Sequence, residues 1–285
     1  MSRPSPTVRR RRLRYELRKL REDRGLTIDQ VSEATGGDMA SSTISRLETG
    51  DRGVRPIDLR FLLDIYEVKG QERDALLALC RQARERGWWH TYGDAVPNWF
   101  QVYVGLETEA TSLHVYESEL VHGLLQTPDY YRAFLREAPT VSDEEAERKI
   151  AVRAARQERL TNDDPPEYWA VLNEATIRRP VGGHEVMRAQ LRHIAEISEL
   201  SHVTIQVLPF SAGAHPAMDG GFRILGFPEP ADPDVVYQEN QMGGIYHEKP
   251  AVVDRYTLTF NHLIAKALDP SDSRALILHS AAELT

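Results

Sequence analysis

A short run near the start of the 285-residue chain, Ser42-Thr-Ile-Ser-Arg-Leu-Glu-Thr-Gly50, carries side chains suited to recognition chemistry. Ile44 and Leu47 are three residues apart, so on a helix they share one apolar, inward face. Four polar residues occupy the outward side: Ser41, Ser42, Ser45 and Arg46. A guanidinium can donate two hydrogen bonds to guanine O6 and N7, and serine hydroxyls can donate or accept at base edges. The pattern therefore predicts contact with base edges in the major groove of double-stranded DNA.

Residues on either side of this run are placed to contact phosphates. Thr27 opens another apolar helical pattern, and the N–H groups at a helix N-terminus bind anions, so we expect its backbone N–H to donate to a phosphate. Arg52 and Arg55 flank the end of the predicted recognition helix and suit the same role. Phosphate contacts fix the register of a protein on the duplex, whereas base contacts give it sequence preference.

A basic arm precedes these elements at residues 1–12. It ends in four consecutive arginines: Arg9, Arg10, Arg11 and Arg12. Residues 1–24 hold ten Lys+Arg and three Asp+Glu. Such a segment favours DNA binding through counterion release, and it can reach into a minor groove. We expect the four arginines to contact phosphates; the alternative is a solvated, partly disordered tail.

The elements that must position these side chains are helical. Leu13, Leu17 and Leu20 recur at helical spacing, and Gly25 is expected to end that helix. Thr27 has Gln30 three residues later, which predicts a capping box. Glycines punctuate the pattern further on, at positions 36, 37 and 50, and two more apolar segments follow. Residues 13–86 are therefore predicted to form a compact all-α domain of five helices.

The segments from Leu26 to Thr35 and from Ser42 to Gly50 resemble the xenobiotic-response-element (Xre) class of bacterial helix-turn-helix repressors, which includes the phage lambda-type repressors and Cro. The resemblance covers about residues 13–86. It implies that the first helix of the pair braces the second, which enters the major groove. Where this class has a serine cap, the chain has Ala40, so we expect Asp38 to cap the recognition helix instead. The resemblance also implies that Glu48 supports the fold.

Charge is distributed unevenly along the chain, whose formal net charge is -8. Residues 1–86 hold 19 Lys+Arg and 14 Asp+Glu, whereas the remainder holds 16 and 29. This asymmetry predicts a basic module fused to an acidic one. The single cysteine cannot form an intrachain disulfide, and no apolar run is long enough to span a membrane. Because the basic start precedes no apolar segment, no secretory signal is predicted and we expect a cytoplasmic protein.

Beyond an aromatic connection at residues 87–99, which holds three of the four tryptophans, the pattern is mixed. The predicted strands are 112–117, 168–173, 202–208, 222–227 and 235–239, with a sixth at 244–247. The predicted helices are 128–137, 142–160, 184–200, 252–268 and 271–284. Three of these strands follow one another without helices between them, so we expect them to be antiparallel. The expected fold class is α+β, with a mainly antiparallel sheet domain with helices at residues 100–285.

The second domain shows few signs of catalytic chemistry. Its histidines have no metal-ligand spacing with cysteine, and no nucleophile, P-loop or dinucleotide-binding motif is present. We therefore expect no cofactor, no metal and no enzymatic activity. Six polar residues stand out as forming either an internal arginine–carboxylate network or a pocket for a ligand or partner. They are Arg153, Arg156, Gln157, Glu174, Tyr237 and Glu239.

Several phrases of this domain resemble the C-terminal domain of unknown function in actinobacterial, WhiJ-like (antitoxin-like) Xre regulators. They include Gly123-Leu-Leu-Gln-Thr-Pro-Asp-Tyr130, Arg153-Ala-Ala-Arg-Gln-Glu-Arg-Leu160 and Val203-Thr-Ile-Gln-Val-Leu-Pro-Phe210. The resemblance runs from about residue 99 to the C-terminus. It implies a developmental or stress regulator with a small BldB-like companion protein as a partner.

Three hypotheses follow. The first is a DNA-binding repressor that binds a pseudo-palindromic operator as a homodimer held mainly by residues beyond 99. Its C-terminal domain would bind either a small partner protein or a small-molecule signal. The second is an antitoxin-like interaction module that neutralises a small partner. The third is an enzyme with a DNA-targeting head, which would need a nucleophile–base pair or metal ligands in residues 100–285.

Overall fold

A computed structural model describes residues 5–138, 141–229 and 232–285. The chain divides into two compact units. The N-terminal unit runs to Trp88 and also includes Glu229 and Asp232, and the C-terminal unit comprises Trp89–Pro228 and Pro233–Thr285. The fold class is α+β, as the sequence predicts: a helical unit is followed by a unit with a mixed six-stranded sheet.

The N-terminal unit contains five α-helices among its described residues. They are α1 (Pro6–Asp23), α2 (Ile28–Ala34), α3 (Ser41–Thr49), α4 (Pro56–Ile65) and α5 (Gly70–Gln82). One apolar cluster joins all five helices, and it includes the predicted Leu13, Leu17 and Leu20 as well as Ile44 and Leu47. The predicted breaks are confirmed, because the glycines at positions 25, 36, 37 and 50 all have positive φ, which ends a helix without steric cost.

The prediction of a flexible basic arm needs correction. Residues 1–4 lie outside the described part of the chain, but Pro6 begins α1 and Ser5 caps it, so the arginines at positions 9–12 are helical. Arg9 Nε donates to Gln82 Oε1 at 3.0 Å, and Arg10 Nε donates to the Ala83 carbonyl at 2.7 Å. Arg11 is buried. Proline at the first helical position and a serine cap start a helix efficiently, and this start outweighs the self-repulsion of the arginines.

The C-terminal unit contains six strands and seven α-helices in its described part. The strands are β1 (Ser112–Glu117), β2 (Glu167–Asn173), β3 (Val203–Leu208), β4 (Phe222–Gly226), β5 (Val235–Asn240) and β6 (Gly243–His247). The helices are α6 (Asn98–Glu109), α7 (Pro128–Arg136), α8 (Asp143–Gln157), α9 (Glu174–Arg178), α10 (Gly183–Ile197), α11 (Pro250–Lys266) and α12 (Pro270–Glu283). A 3-10 segment, Trp88–Ala95, precedes them. All six predicted strands and five predicted helices are present, whereas α6 and α9 were not predicted.

The sheet has the strand order β3-β2-β1-β4-β5-β6. Its β4 and β5 pair antiparallel, as expected, and so do β1 with β4 and β5 with β6. However, β3 is not a neighbour of β4. It pairs parallel to β2, which pairs parallel to β1, because the helices between these strands act as crossover connections. The sheet therefore changes from parallel to antiparallel at β1.

Alternation along the strands sends side chains to two faces of this sheet. His114 and Tyr116 of β1 lie on the face covered by α11, where His114 stacks on Phe260 at 5.0 Å between ring centroids. Glu117 lies on the opposite face. The register pairs Arg223 of β4 with Tyr237 of β5, and both side chains lie on that second face with Glu117. Thus three strands bring polar residues together on the side away from α11.

Candidate nucleic-acid interface and C-terminal pocket

The outward face of α3 presents the predicted base-reading side chains to solvent. Ser42 and Arg46 are exposed, and Ser45 is half-buried. None of the three side chains makes a hydrogen bond or ion pair with another residue that the structure describes. Ile44 and Leu47 are both fully buried on the inward face. The donors of Arg46 are therefore available to a ligand such as a base edge.

Ser41 differs from its neighbours because its hydroxyl is already engaged. Its Oγ donates to Asp29 Oδ1 of α2 at 2.6 Å, which ties the start of α3 to the preceding helix. A base contact by Ser41 would have to use the remaining acceptor capacity of its oxygen. Thr49 is not among the base-contacting residues that the sequence predicts. It is nevertheless exposed and lies three residues after Arg46, on the same face of α3.

A buried ion pair fixes α3 against α1. Arg21 donates from Nε and Nη2 to the two carboxylate oxygens of Glu48, at 2.7 and 2.8 Å. Only 11% of the Arg21 side chain and 6% of the Glu48 side chain are exposed. The hydrogen bonds that Arg21 donates to Glu48 raise the pKa of the Arg21 guanidinium. Glu48 therefore supports the fold, as the sequence predicts, and it does not pair with Arg46.

The turn between α2 and α3 is held by side-chain hydrogen bonds to one residue. Ser32 Oγ donates to the Met39 carbonyl at 2.8 Å, and the Met39 N–H donates to Thr35 Oγ1 at 3.1 Å. Ala40 then occupies the N-cap of α3 with no side-chain cap, so the expected cap by Asp38 is wrong. The first N–H groups of α3 consequently have no side-chain acceptor within the described chain.

The capping box predicted at the start of α2 is confirmed, and it changes the role expected of Thr27. The Thr27 N–H donates to Gln30 Oε1 at 2.8 Å, while the Gln30 N–H donates to Thr27 Oγ1 at 3.2 Å. The backbone N–H that was expected to meet a phosphate is thus already engaged. The hydroxyl proton of Thr27 is what remains for a phosphate contact.

The two arginines that follow α3 are held differently. Arg52 is half-buried, and its guanidinium makes no hydrogen bond or ion pair with a residue in the described ranges. Arg55 forms a bidentate pair with Asp58, at 2.8 and 2.7 Å, and this pairing lowers the pKa of the Asp58 carboxyl. A phosphate contact by Arg55 would therefore compete with Asp58, whereas Arg52 has no such competitor.

The C-terminal unit gathers a separate group of charged residues. Arg156 of α8 is 5% exposed and forms a bidentate pair with Glu107 of α6, at 2.7 and 2.8 Å. Although burial lowers the pKa of Arg156, the charge and hydrogen bonds of Glu107 outweigh it and hold the pKa above its usual value. Arg223 donates to Glu117 at 2.8 Å and to Glu239 at 3.0 Å. This arrangement is the internal arginine–carboxylate network.

A cavity of about 400 Å³ lies beside this network, and three of the six predicted residues line it: Arg153, Arg156 and Glu239. Gln157 lies next to it and donates from Nε2 to the carbonyls of Gly123 and Gln126, at 3.0 and 2.6 Å. Tyr237 stacks against Tyr103 and beneath Arg223, so it belongs to the network. The two interpretations of these residues, an internal network and a ligand pocket, are therefore compatible.

Glu174 does not belong to this group, which corrects the prediction. It begins α9 instead of ending a strand, and its Oε2 accepts a hydrogen bond from the Phe210 N–H at 2.8 Å. Its other oxygen pairs with Arg178 at 3.2 Å. A carboxylate in the first turn of a helix complements the helix dipole, and this local role explains why a glutamate occupies position 174.

Sequence reasoning missed the partners that complete the site. Glu107, Glu117 and Arg223 lie on three different elements, and their separation along the chain leaves no periodic signal. The one signal available was a charged residue within a strand pattern: Arg223 interrupts the apolar run of β4, and Glu117 ends that of β1. An unexplained charge in a half-buried strand indicates a partner on a neighbouring element.

The described residues contain neither a cluster of metal ligands nor a membrane-spanning helix. No group of three or more His, Cys, Asp or Glu side chains could hold a metal ion within residues 5–138, 141–229 and 232–285. In the same ranges, no helix combines the length and the apolar character that crossing a membrane requires.

Comparison with known proteins identifies both parts of the chain. A family model described as a helix-turn-helix domain matches residues 12–76, which contain α2 and α3, and it indicates a DNA-binding regulator. A second model, described as a domain of unknown function (DUF5753), matches residues 100–279. Searches of curated proteins and of solved structures gave no match. Because the second model covers more than half of the sequence, the chain belongs to the DUF5753 family and carries a helix-turn-helix domain ahead of that domain.

Proposed function

We propose that the protein is a sequence-specific, DNA-binding transcriptional repressor that reads bases with α3. The observation that supports this most strongly is the state of Ser42 and Arg46: both are exposed and uncommitted on a helix anchored by the buried Arg21–Glu48 pair. A rigid helix with free donors is what direct readout in the major groove requires. The helix-turn-helix match over residues 12–76 supports the same function.

The experiment that tests this function is selection of bound sequences from a random pool of duplex DNA by the full-length protein. The expected result is one enriched motif, bound at least about a thousandfold more tightly than unrelated duplex, the ratio usual for specific sites. Enrichment of no motif, with equal binding to all duplexes, would leave only electrostatic association and would contradict the proposal. Transcription from a promoter that contains the motif then distinguishes a repressor from an activator.

The acidic C-terminal unit is proposed to receive the signal that controls DNA binding. The resemblance to WhiJ-like actinobacterial regulators suggests a small BldB-like companion protein as the partner. An open sheet edge supports a protein partner: β6 ends the sheet, and it carries Ile245, which is 49% exposed, beside Met242, which is 94% exposed. Co-purification of a small protein in fixed ratio tests this proposal. The second candidate function is an antitoxin-like role, in which the protein neutralises a small partner protein. The same sheet edge favours it, because that role also requires a surface for a protein partner.

We also propose that the repressor binds a pseudo-palindromic operator as a homodimer in the cytoplasm, and that it has no catalytic activity. Two copies of one recognition helix fit a site with two-fold symmetry. The proposed absence of catalysis is supported by the ion pairs that the polar residues of the C-terminal unit form with one another. Arg156 and Glu107 pair with each other, as do Arg223 and Glu117, which stabilises the fold and leaves them unsuited to act as nucleophile or base.

A further inference from the structure

The cavity of about 400 Å³ in the C-terminal unit contains one cation that lacks a counter-ion. Arg153 of α8 donates from Nη1 to Gln126 Oε1 at 2.5 Å, and its guanidinium carbon lies 3.5 Å from the centroid of the Tyr131 ring. Its Nε is buried without a hydrogen-bond acceptor. No carboxylate within the described ranges forms an ion pair with it, whereas Arg156 pairs with one carboxylate and Arg223 with two.

A guanidinium that is partly withdrawn from water costs free energy when no anion pairs with it, and its contact with the Tyr131 ring offsets part of that cost. Gln126 and Tyr131, which contact Arg153, are uncharged. The nearby Arg156 and Arg223 add to the positive field around Arg153. The two carboxylates of the same cavity, Glu117 and Glu239, are paired with Arg223. Burial lowers the pKa of Arg153, yet an arginine keeps its proton at any physiological pH. An anion that enters the cavity would supply the counter-charge that Arg153 lacks.

The position of the cavity in the fold agrees with a ligand site. Its lining includes Glu117, the last residue of β1, and residues that follow it along the chain. β1 is the strand at which the sheet changes from parallel to antiparallel pairing, and ligands of open α/β sheets bind beyond the carboxyl ends of strands at such a switch point. The volume lies within the range of small-molecule sites.

The lining also indicates the size and character of the ligand. Phe100, Tyr131 and Phe134 supply aromatic walls beside Arg153. A carboxylate matches a guanidinium fork, since its two oxygens can accept parallel N–H donors. An aromatic or apolar body attached to it would bury its surface against the three rings.

We propose that this cavity binds a small organic carboxylate with an aromatic or apolar body, and that Arg153 pairs with the carboxylate. This ligand is the chemical signal of the regulator, and in that respect the inference rests on the proposed function. Binding itself belongs to the C-terminal unit. It is measured without DNA, so a failure here leaves the result of the DNA selection unaffected.

The test compares benzoate with benzamide, which has the same ring and no charge, by calorimetry and thermal unfolding of the full-length protein. We expect benzoate to bind at least about tenfold more tightly, because a charged hydrogen-bonded pair contributes more than about 1.4 kcal/mol. Acetate at matched ionic strength, with chloride as reference, tests the carboxylate without the ring. Equal binding of benzoate and benzamide, or no binding of either, would overturn the proposal.

Two variants assign the preference to Arg153. Arg153→Gln removes the charge, and we expect it to abolish the tenfold preference for benzoate. Gly123→Ala keeps the charge but displaces it, because a Cβ at this position would lie 2.8 Å from Arg153 Nη1. Arg136→Gln, an exposed arginine of α7 outside the cavity, is the matched control and keeps the preference. An undiminished preference in Arg153→Gln and in Gly123→Ala would contradict the assignment.

Discussion

Ion pairs of this protein differ most in how far water reaches them, and two neighbouring glutamates illustrate the difference. Glu48 is 6% exposed and pairs with Arg21 at 2.7 Å, whereas Glu22 is 51% exposed, pairs with Arg18 at 2.8 Å and lies 3.6 Å from Arg21. Removing one member of a buried pair leaves an unpaired buried charge, but an exposed pair is screened by solvent. Two ion pairs with similar N–O distances are therefore expected to contribute different amounts to the free energy of unfolding.

We expect Glu48→Gln to lower the free energy of unfolding of the protein by about 2 kcal/mol, because Arg21 loses its bidentate, buried counter-ion and keeps only the longer contact with the exposed Glu22. Glu22→Gln, the matched control, should cost below about 1 kcal/mol. Urea unfolding followed by circular dichroism measures both. Equal costs for the two variants would show that the Arg21–Glu48 pair does not anchor α3.

At the scale of residues, the sequence predicted what local spacing determines. Ser42 and Arg46 face outward because Ile44 and Leu47 face inward, and Arg153, Arg156 and Gln157 share one side of α8. The partners of those arginines could not be predicted, since Glu107 is 49 positions away from Arg156 along the chain. Thr27 shows another limit of prediction from sequence. The spacing of Thr27 and Gln30 predicts the capping box, and this box engages the Thr27 N–H that was expected to contact a phosphate.

The C-terminal end of α3 depends on one glycine. Gly50 caps the helix with φ +90°, and a Cβ there would approach the guanidinium of Arg14. Gly53 lies three residues further on, has no positive φ and has open space where a Cβ would stand. The two positions provide a matched pair for testing how tightly the end of the recognition helix is constrained.

Gly50→Ala is expected to lower the free energy of unfolding by about 1–2 kcal/mol, because an L-residue pays a steric penalty in the left-handed region. Gly53→Ala should change it by less than about 0.5 kcal/mol. Thermal or urea unfolding measures both values. A cost at Gly53 equal to that at Gly50 would mean that the left-handed cap does not determine where α3 ends.

At the scale of elements, helices and strands with strong periodicity were predicted and their arrangement was not. α6 is not predicted by the sequence: its first two residues fall in the aromatic connection of residues 87–99, and no element is predicted between that connection and the strand at 112. This helix nevertheless supplies Phe100, Tyr103 and Glu107 to the C-terminal unit. β3 was grouped with β4 because no helix separates them in sequence. Its parallel pairing to β2 depends on the crossover helices α9 and α10, which act at long range.

The whole molecule combines a basic N-terminal part with an acidic remainder, and its net charge is -8. A single basic unit would bind duplex DNA weakly, so the proposed homodimer matters for specificity. Two linked recognition helices can bind their two half-sites simultaneously when both half-sites lie on the same face of the duplex, and this raises the overall affinity.

We expect a selected operator with one scrambled half-site to bind at least about tenfold more weakly than the intact site. Inserting about five base pairs between the half-sites turns them to opposite faces and should weaken binding, whereas about ten should restore much of it. Fluorescence anisotropy with the full chain measures each affinity. Affinity that depends neither on the second half-site nor on spacing would contradict the homodimer.

The measurement that tests the central claim most directly is the affinity of α3 variants for the selected operator and for a scrambled duplex. We expect Arg46→Ala combined with Ser42→Ala to cost about 1–3 kcal/mol on the operator and little on the scrambled duplex, because base contacts are lost and phosphate contacts remain. Arg81→Ala, an exposed arginine on α5, is the control and should leave both affinities nearly unchanged. Unchanged operator affinity and preference in the double variant would contradict the account.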